Sequence, residues 1–407
     1  MKKQTKITRI ISFFLLSSFM FFACVDTFQV DISTSKGYLI VDGTITDLNE
    51  PQLVYIGRIK PDVDFKSSDY TSVIRTNSEI SLPESRVEAN VIVNGTKSYR
   101  LTETEPGYYR LPPDFKAKAG DDYQLKFKTY DGISYESTAE KMMPVPAIKN
   151  LREEFNPVGI KKVSAYGNNF PTNDFYLDFE DPSGDKNFYR WKWTSWEVQK
   201  ICASCPRGKY YLYEGEEGVT GDCFRDLTIN SNITYDYNCG SDCWDIFTGS
   251  DINIMSDIYS NGQEQKNKLA AQVPLYQYNP ALVSVQQTSL TANAYRYFKL
   301  IQDQAVNTGT LADTPPAPIK SNVTNIARES ELVLGFFSAS SVSEVRVMLS
   351  RTNTKGSELN SLFRIVTNRD ANIEQVSQER PYIPLAVCKN SRLRTPFVPA
   401  GWRYGRD

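Results

Sequence analysis

Apolar residues that alternate with polar ones, in short segments separated by turn residues, constrain the fold of this chain more than any other feature. The segment 87–93 alternates in this way, and Asn94-Gly95 follows it. Such a pair between two alternating segments is the strongest short-range indication of a β-hairpin. Several segments of this kind occur between residues 37 and 146. Apolar residues in this range do not recur at the three- and four-residue intervals of a helix. They predict an immunoglobulin-like β-sandwich at the start of an all-β chain.

A larger, mainly β domain is predicted for residues 147–407, after a hinge at Pro144-Val145-Pro146. Large apolar residues recur at every second position on both sides of a turn at 181–184; they are Phe175, Leu177, Phe179, Tyr189, Trp191 and Trp193. We therefore predict a hairpin with one aromatic face, which is either core or an exposed binding surface. Carboxylates surround the turn, namely Asp178, Glu180, Asp181 and Asp185. They lack the regular ligand spacing of a calcium loop, so a solvated turn is favoured.

One helix is predicted in this second domain. Ser289 or Thr291 can cap it, and apolar residues recur along one face at intervals of three and four: Leu290, Ala294, Tyr297, Phe298 and Ile301. We expect this face to pack against a sheet. Further strands are predicted at 332–337 and 342–349.

Six cysteines follow the predicted hairpin or lie in the C-terminal tail. They are Cys202, Cys205, Cys223, Cys239, Cys243 and Cys388. The two close pairs resemble the spacing of a four-thiolate zinc site, whereas an even number in an exported chain favours disulfides. We favour disulfides, which predict a stapled insertion at 199–262 and a tail tied back through Cys388. The sequence does not choose among the possible pairings.

The preference for disulfides depends on export, which the N-terminus predicts. Four basic residues precede an apolar run from 10 to 22, and Ala23-Cys24 ends it. Residues 1–23 therefore look like a signal peptide, because the run is shorter than the roughly 20 residues of a membrane-spanning helix. The end of the run also resembles a bacterial lipobox, in which Cys24 is lipidated; an ordinary signal peptide is the alternative. Residues 24–36 are predicted to be a tether.

Composition excludes several classes of function. Without the leader, the formal net charge of −2 becomes −6, which gives no electrostatic reason to bind nucleic acid. The chain contains no histidine, so Ser-His-Asp and Cys-His catalysis and histidine-ligated metal sites are excluded in their standard form. We predict no cofactor and no metal.

Several segments together resemble a known family. They are GYLIVDG (37–43), VQQTSL (285–290) with Ala294-Tyr295, the pairs at 308–309, 315–316 and 321–322, and VLGFFSAS (333–340). In this order they are similar to Bacteroidota lipoproteins grouped as domain of unknown function 4249. Members often carry two close cysteines near the C-terminus, of which this chain keeps only Cys388. The resemblance implies an outer-membrane lipoprotein, commonly encoded beside a TonB-dependent transporter, without established catalytic residues.

Three classes of function are compatible with these features. The first is a non-enzymatic, lipid-anchored accessory protein that works with a TonB-dependent outer-membrane transporter, with surface display slightly favoured over the periplasmic face. The second is a glycan- or ligand-binding lipoprotein that uses exposed indole rings; the candidates are Trp191, Trp193, Trp196 and Trp244. The third is a carboxylate-based hydrolase, although no carboxylate pair stands out. We favour the first, and we predict no catalytic residues.

Overall fold

A computed structural model describes residues 37–60, 81–160, 170–216, 218–230, 232–305, 319–352, 354 and 361–404. The predicted signal peptide, the tether and Cys24 lie outside these ranges. The described residues form an all-β protein with two helices, as the sequence predicts apart from the second, shorter helix. Neither of these helices is long and apolar enough to cross a membrane.

The strands and helices have the following bounds. The first part of the chain forms β1 (Leu39–Thr46), β2 (Leu53–Ile59), β3 (Ser81–Pro83), β4 (Glu88–Val93), β5 (Lys97–Arg100), β6 (Thr102–Glu105), β7 (Tyr108–Arg110), β8 (Asp122–Lys128), β9 (Ser134–Ser137), β10 (Glu140–Lys141), β11 (Ile148–Ile160), β12 (Phe170–Glu180) and β13 (Phe188–Val198). The rest forms β14 (Ile201–Pro206), β15 (Gly208–Gly215), β16 (Gly218–Arg225), β17 (Thr234–Asn238), β18 (Trp244–Thr248), β19 (Asn253–Ser256), β20 (Glu264–Pro274), β21 (Ala281–Ser289), α1 (Ala292–Ala305), β22 (Val323–Asn325), β23 (Val333–Ser340), β24 (Val342–Leu349), α2 (Leu362–Thr367) and β25 (Arg394–Thr395).

The first sandwich consists of two facing sheets with one buried core between them. Sheet 1 has the order β23-β1-β2-β7-β6, with β3 beside β2, and sheet 2 has the order β22-β9-β8-β4-β5, with β10 beside β8. The predicted hairpin at Asn94-Gly95 is present between β4 and β5. Asn94 and Gly95 both have positive φ, 51° and 67°, as the two central residues of a type I′ turn do, and Thr96 is a third loop residue before β5.

Two strands of this sandwich come from beyond the predicted domain boundary at 146. β22 pairs with β9, and β23 lies parallel to β1 along its whole length. The sequence assigned 332–337 to the second domain, because alternation indicates a strand without indicating its neighbour. The close approach of β1 and β23 requires a glycine: Gly335 has φ +83°, and a Cβ there would lie 2.0 Å from the carbonyl oxygen of Val41.

The second sandwich packs sheet 3, with the order β11-β12-β20, against sheet 4, with the order β24-β21-β13-β18-β25 and β19 also beside β13. The predicted hairpin between β12 and β13 is wrong, since the two strands lie in different sheets. Their aromatic faces meet across the core, where the rings of Phe179 and Tyr189 lie 5.1 Å apart. Burial of both faces explains why the chain crosses between sheets at this turn.

Helix α1 begins where the sequence predicts. The Oγ1 of Thr291 accepts a hydrogen bond from the backbone N–H of Ala294 at 3.2 Å, which caps the first turn. The apolar face of the helix packs with Leu290 and Phe336, so it lies where the two sandwiches meet. The helix α2 is only six residues long and buries Leu362 and Phe363; Ser361 caps its start, and Asn368 ends it with φ 56°.

Hydrogen bonds hold the segment that the sequence predicts as a hinge. The amide of Gln287 donates to the carbonyl of Pro146 at 2.9 Å. The hydroxyl of Ser289 donates to the carbonyl of Met143 at 2.5 Å and accepts from the backbone N–H of Ser341 at 3.0 Å. β21 and β24 therefore both fix the connection between the sandwiches.

Candidate functional site

Strands β14 to β17 form a separate unit on the second sandwich, which we call the stapled lobe (residues 199–243). β14 pairs with β17, and β15 pairs with β16, in two sheets of two strands each. The lobe is shorter than the predicted insertion, because β18 and β19 belong to sheet 4. Phe247 of β18 faces the core of the sandwich, and this explains where the lobe ends.

Three disulfides join the six cysteines, as the sequence favoured. Cys202 is bonded to Cys239, Cys205 to Cys223, and Cys243 to Cys388. The sulfur atoms of Cys202, Cys239 and Cys243, three of the four cysteines whose spacing suggested zinc, lie within 4.8 Å of one another. All three belong to disulfides here, and zinc requires thiolates. The third disulfide ties the C-terminal tail to the body of the protein, as predicted.

The apolar core of the lobe is very small. Its buried members are Cys205, Tyr210, Tyr237 and Ala386, the last of which comes from the tail. The tail adds a buried ionic contact: Asp236 is fully buried and accepts two hydrogen bonds from the guanidinium of Arg369, at 2.6 and 2.7 Å. Disulfides and ion pairs therefore replace much of the apolar burial that stabilises a larger domain.

The surroundings of Asp236 keep its carboxylate charged. Burial alone would raise the pKa of Asp236, but hydrogen bonds from Arg369, from the hydroxyl of Ser204 and from the backbone N–H of Asn372 lower it on balance. A second tail contact lies beside it, where the hydroxyl of Tyr237 donates to Glu374 at 2.5 Å. Burial and this carboxylate both raise the pKa of Tyr237, so its proton stays in place.

The β15–β16 hairpin displays aromatic rings to solvent. Tyr211, Tyr213 and Phe224 are 47%, 42% and 51% exposed and share one face of the hairpin. The ring of Phe224 lies 5.8 Å from Tyr211 and 6.3 Å from Tyr213, edge to face in both pairs. On the opposite face, Leu212 and Val219 are also exposed. Large rings in a preorganised array are the side chains that dominate binding energy at protein interfaces.

Contacts at the base of the β15–β16 hairpin hold its aromatic rings in place. The Cys205–Cys223 disulfide fixes β16 to β14, and the guanidinium of Arg380 lies 4.3 Å from the ring centre of Tyr211. Among the described strands, β15 and β16 pair only with each other, so neither has a strand partner on its other edge, although Arg380 donates to the carbonyl of Tyr210 in β15. An open edge beside exposed aromatic rings can accept an added strand from a partner. The cysteines alone pointed to this loop in the sequence, and they give no sign of which neighbouring tyrosines are buried, as Tyr210 is, or exposed.

The indole rings proposed for glycan binding are mostly inside the protein. Trp191, Trp193 and Trp244 are buried, and only Trp196 is half-buried, on the opposite face of β13. Arg346 lies over its ring at 5.3 Å. The four candidates therefore do not form one flat platform, and the aromatic alternation of β13 is core packing.

The carboxylates near the turn at 181–184 mostly have partners within the protein. Asp181 is buried rather than solvated, and it accepts hydrogen bonds from the hydroxyl of Tyr189 and, at 2.9 Å, from the backbone N–H of Gly262. Asp178 accepts from Asn267 N at 2.8 Å, and Glu180 pairs with Lys149 at 2.7 Å. The prediction of a fully solvated turn is thus wrong for Asp181, whose carboxylate joins the turn to the 257–263 loop.

Fold and lobe together define an all-β protein of two joined sandwiches that carries a disulfide-stapled lobe. Residues 25–346 match the family described as Domain of unknown function (DUF4249), which confirms the predicted family. The chain therefore belongs to this family. The match ends before the tail segment that packs on the lobe. No curated protein matches the chain.

Proposed function

We propose that this protein is a non-enzymatic, lipid-anchored binding protein of the outer membrane, which works with a TonB-dependent transporter through its stapled lobe. The observation that carries the proposal is the exposed aromatic face of the β15–β16 hairpin, formed by Tyr211, Tyr213 and Phe224. Exposing such rings is unfavourable for a protein that stays alone, whereas burying them against a partner is favourable. The lipobox-like end of the leader supplies the anchor at Cys24, and surface display is slightly favoured.

The rigidity of the hairpin supports a binding role. A loop that is already ordered loses less conformational entropy when it binds, and a disulfide at its base provides that order. An enzyme would need convergent polar groups in a cleft, whereas the hairpin offers mainly ring surfaces and backbone edges. The aromatic face therefore fits an extended protein partner better than a small substrate.

A matched pair of triple variants tests the lobe. In the first, Tyr211, Tyr213 and Phe224 are changed to serine; in the control, three exposed tyrosines outside the hairpin are changed to serine, namely Tyr130, Tyr259 and Tyr382. Affinity purification from solubilised outer membranes, followed by mass spectrometry, measures the transporter that each form retains. We expect at least a tenfold loss for the hairpin variant, which corresponds to about 1.4 kcal/mol.

Two outcomes would contradict the proposal. In the first, the wild-type protein is recovered alone in mild detergent; in the second, the control variant loses the transporter as strongly as the hairpin variant. The anchor has its own test, since mass spectrometry of the mature protein must find acyl chains on Cys24, and Cys24→Ser must release the protein from the membrane.

A further inference from the structure

A cleft of about 330 Å³ lies between the two sandwiches, on the side away from both cores. One wall is the outer face of β1 and β23, including Asp42 and Thr44; the other is the outer face of β13 with helix α1. Arg190, Tyr297 and Phe298 line this second wall. The volume is at the lower end of the range for small-molecule sites in proteins, and apolar rings stand beside a few polar groups, as in such sites.

Arg190 is the most unusual residue of the cleft. Its guanidinium lies over the ring of Phe298, 4.2 Å from the ring centre, and its buried Nε has no hydrogen-bond partner. The side chain forms no ion pair with any described residue, although the carboxylate of Asp42 contributes an attractive charge nearby. Burial lowers the pKa of Arg190, which reflects the cost of keeping this charge away from water.

Lys192 adds a second cation two positions further along the same face of β13. It borders a neighbouring cavity of about 290 Å³, which shares Ile252 with the cleft. Lys192 also has no ion pair or hydrogen bond among the described residues. Burial and the charge of Arg190 lower the pKa of Lys192 to about 8, against the attraction of Asp42 and Glu50.

Two adjacent, partly buried cations without partners lower the stability of the folded protein. Elsewhere in the described chain, buried guanidinium groups are paired: Arg351 with Glu197, and Arg380 with Glu374. A guanidinium that is left without a counter-ion at a cleft can be paired by an anionic ligand, because a carboxylate or phosphate accepts two hydrogen bonds from one guanidinium. Asp42 on the opposite wall disfavours a polyanion through repulsion.

We propose that the cleft binds a small organic anion whose single carboxylate or phosphate group is held by Arg190, while Lys192 adds positive charge from the same face of β13. The apolar part of the ligand lies against Tyr297 and Phe298, and a hydrogen-bond donor on it faces Asp42. The site is separate from the stapled lobe, so its failure would leave the lobe proposal untouched.

Isothermal titration calorimetry of the full chain in detergent tests the site with three probes of similar shape: phenylacetate, phenyl phosphate and the neutral phenylacetamide. We expect at least one anion to bind, and to bind at least tenfold more tightly than the amide. Whichever anion binds identifies the head group. If neither binds, or if the amide binds as well as the anions, the proposal is overturned.

Variants assign the binding to these two cations. Arg190→Gln should weaken anion binding at least tenfold, and Lys192→Gln should weaken it less, because Lys192 does not line the cleft. The control is Arg152→Gln, since Arg152 also lies over a ring, that of Tyr176 at 4.6 Å, but is exposed and paired with Glu154. Unliganded Arg190→Gln and Lys192→Gln should melt at or above the wild-type temperature, because each removes an unpaired charge. Unchanged anion affinity in both folded variants would refute the site.

Discussion

Replacing Arg351 by methionine tests how the second sandwich tolerates a buried charge. The Arg351 guanidinium donates through both terminal nitrogens to the two oxygens of Glu197, each at 2.7 Å, and both side chains are fully buried. The Glu197 carboxylate also accepts from Ser195 at 2.8 Å and from Gln277 at 3.1 Å. Neither charged group is exposed to water, so each is stabilised mainly by the other.

The substitution leaves the Glu197 carboxylate buried with only neutral donors. Breaking a buried ion pair from one side costs about 3–5 kcal/mol. We expect Arg351→Met to lower the free energy of unfolding by this amount. Methionine adds no backbone strain of its own, because Arg351 already has φ 57°. Adding Glu197→Gln removes the orphaned charge and keeps the contacts to Ser195 and Gln277, so the double variant should recover about 1–3 kcal/mol.

Urea unfolding at pH 7 measures these differences, with the slope m as a check that the unfolded state is unchanged. The control is Arg364→Met, which breaks a pair with Asp370 that also has two contacts, both at 2.9 Å, but is exposed. Exposed pairs contribute about 0–1 kcal/mol. The reasoning is refuted if Arg351→Met costs no more than this control, or if Glu197→Gln brings no recovery.

Three further predictions concern the Cys243–Cys388 disulfide, the pairing of β23 with β1, and the stability of the protein in acid. Changing Cys243 and Cys388 to serine opens a loop with a separation of 145 residues and should cost about 4–5 kcal/mol in urea unfolding, with the tail becoming protease-sensitive. Gly335→Ala places its Cβ against the backbone of β1 and should lower the melting temperature by several degrees, whereas alanine at exposed Gly132, also with positive φ, should lower it less. Because the pKa of Asp236 is lowered in the folded protein, its contribution to stability is present above the unfolded pKa of about 3.9 and is lost as pH falls through the folded value. The unfolding free energy of Asp236→Asn should therefore fall less than that of wild type between pH 5 and pH 2.

The sequence predicts correctly those features that depend on residues close together in the chain. Strand β4 follows from the alternation over 87–93, and the β4–β5 turn follows from Asn94-Gly95. The partner of β23 could not be found in this way, since β1 lies almost 300 residues earlier and alternation carries no information about neighbours. For the same reason, β12 and β13 were placed in one hairpin, although they face each other across a core.

The candidate site was predictable in part. The even number of cysteines and the export signal indicated disulfides in the lobe, but spacing alone could not pair Cys243 with Cys388. Alternation places Arg190 and Lys192 on the face of β13 opposite Tyr189, Trp191 and Trp193. This face lines a cleft because β1 forms the opposite wall. The sequence assigned β1 to a different domain.

The path of the chain explains how the cleft can be preformed. Only Ser341 separates β23 in the first sandwich from β24 in the second, and Ser289 holds that junction to the segment after β10. The tail adds a third link, because Arg392 pairs with Glu105 of the first sandwich at 3.0 Å. A rotation at the two prolines would have to break these contacts together. Arg190 and the opposing wall of β1 therefore keep their separation without a ligand, and the open cation pair is a property of the resting fold.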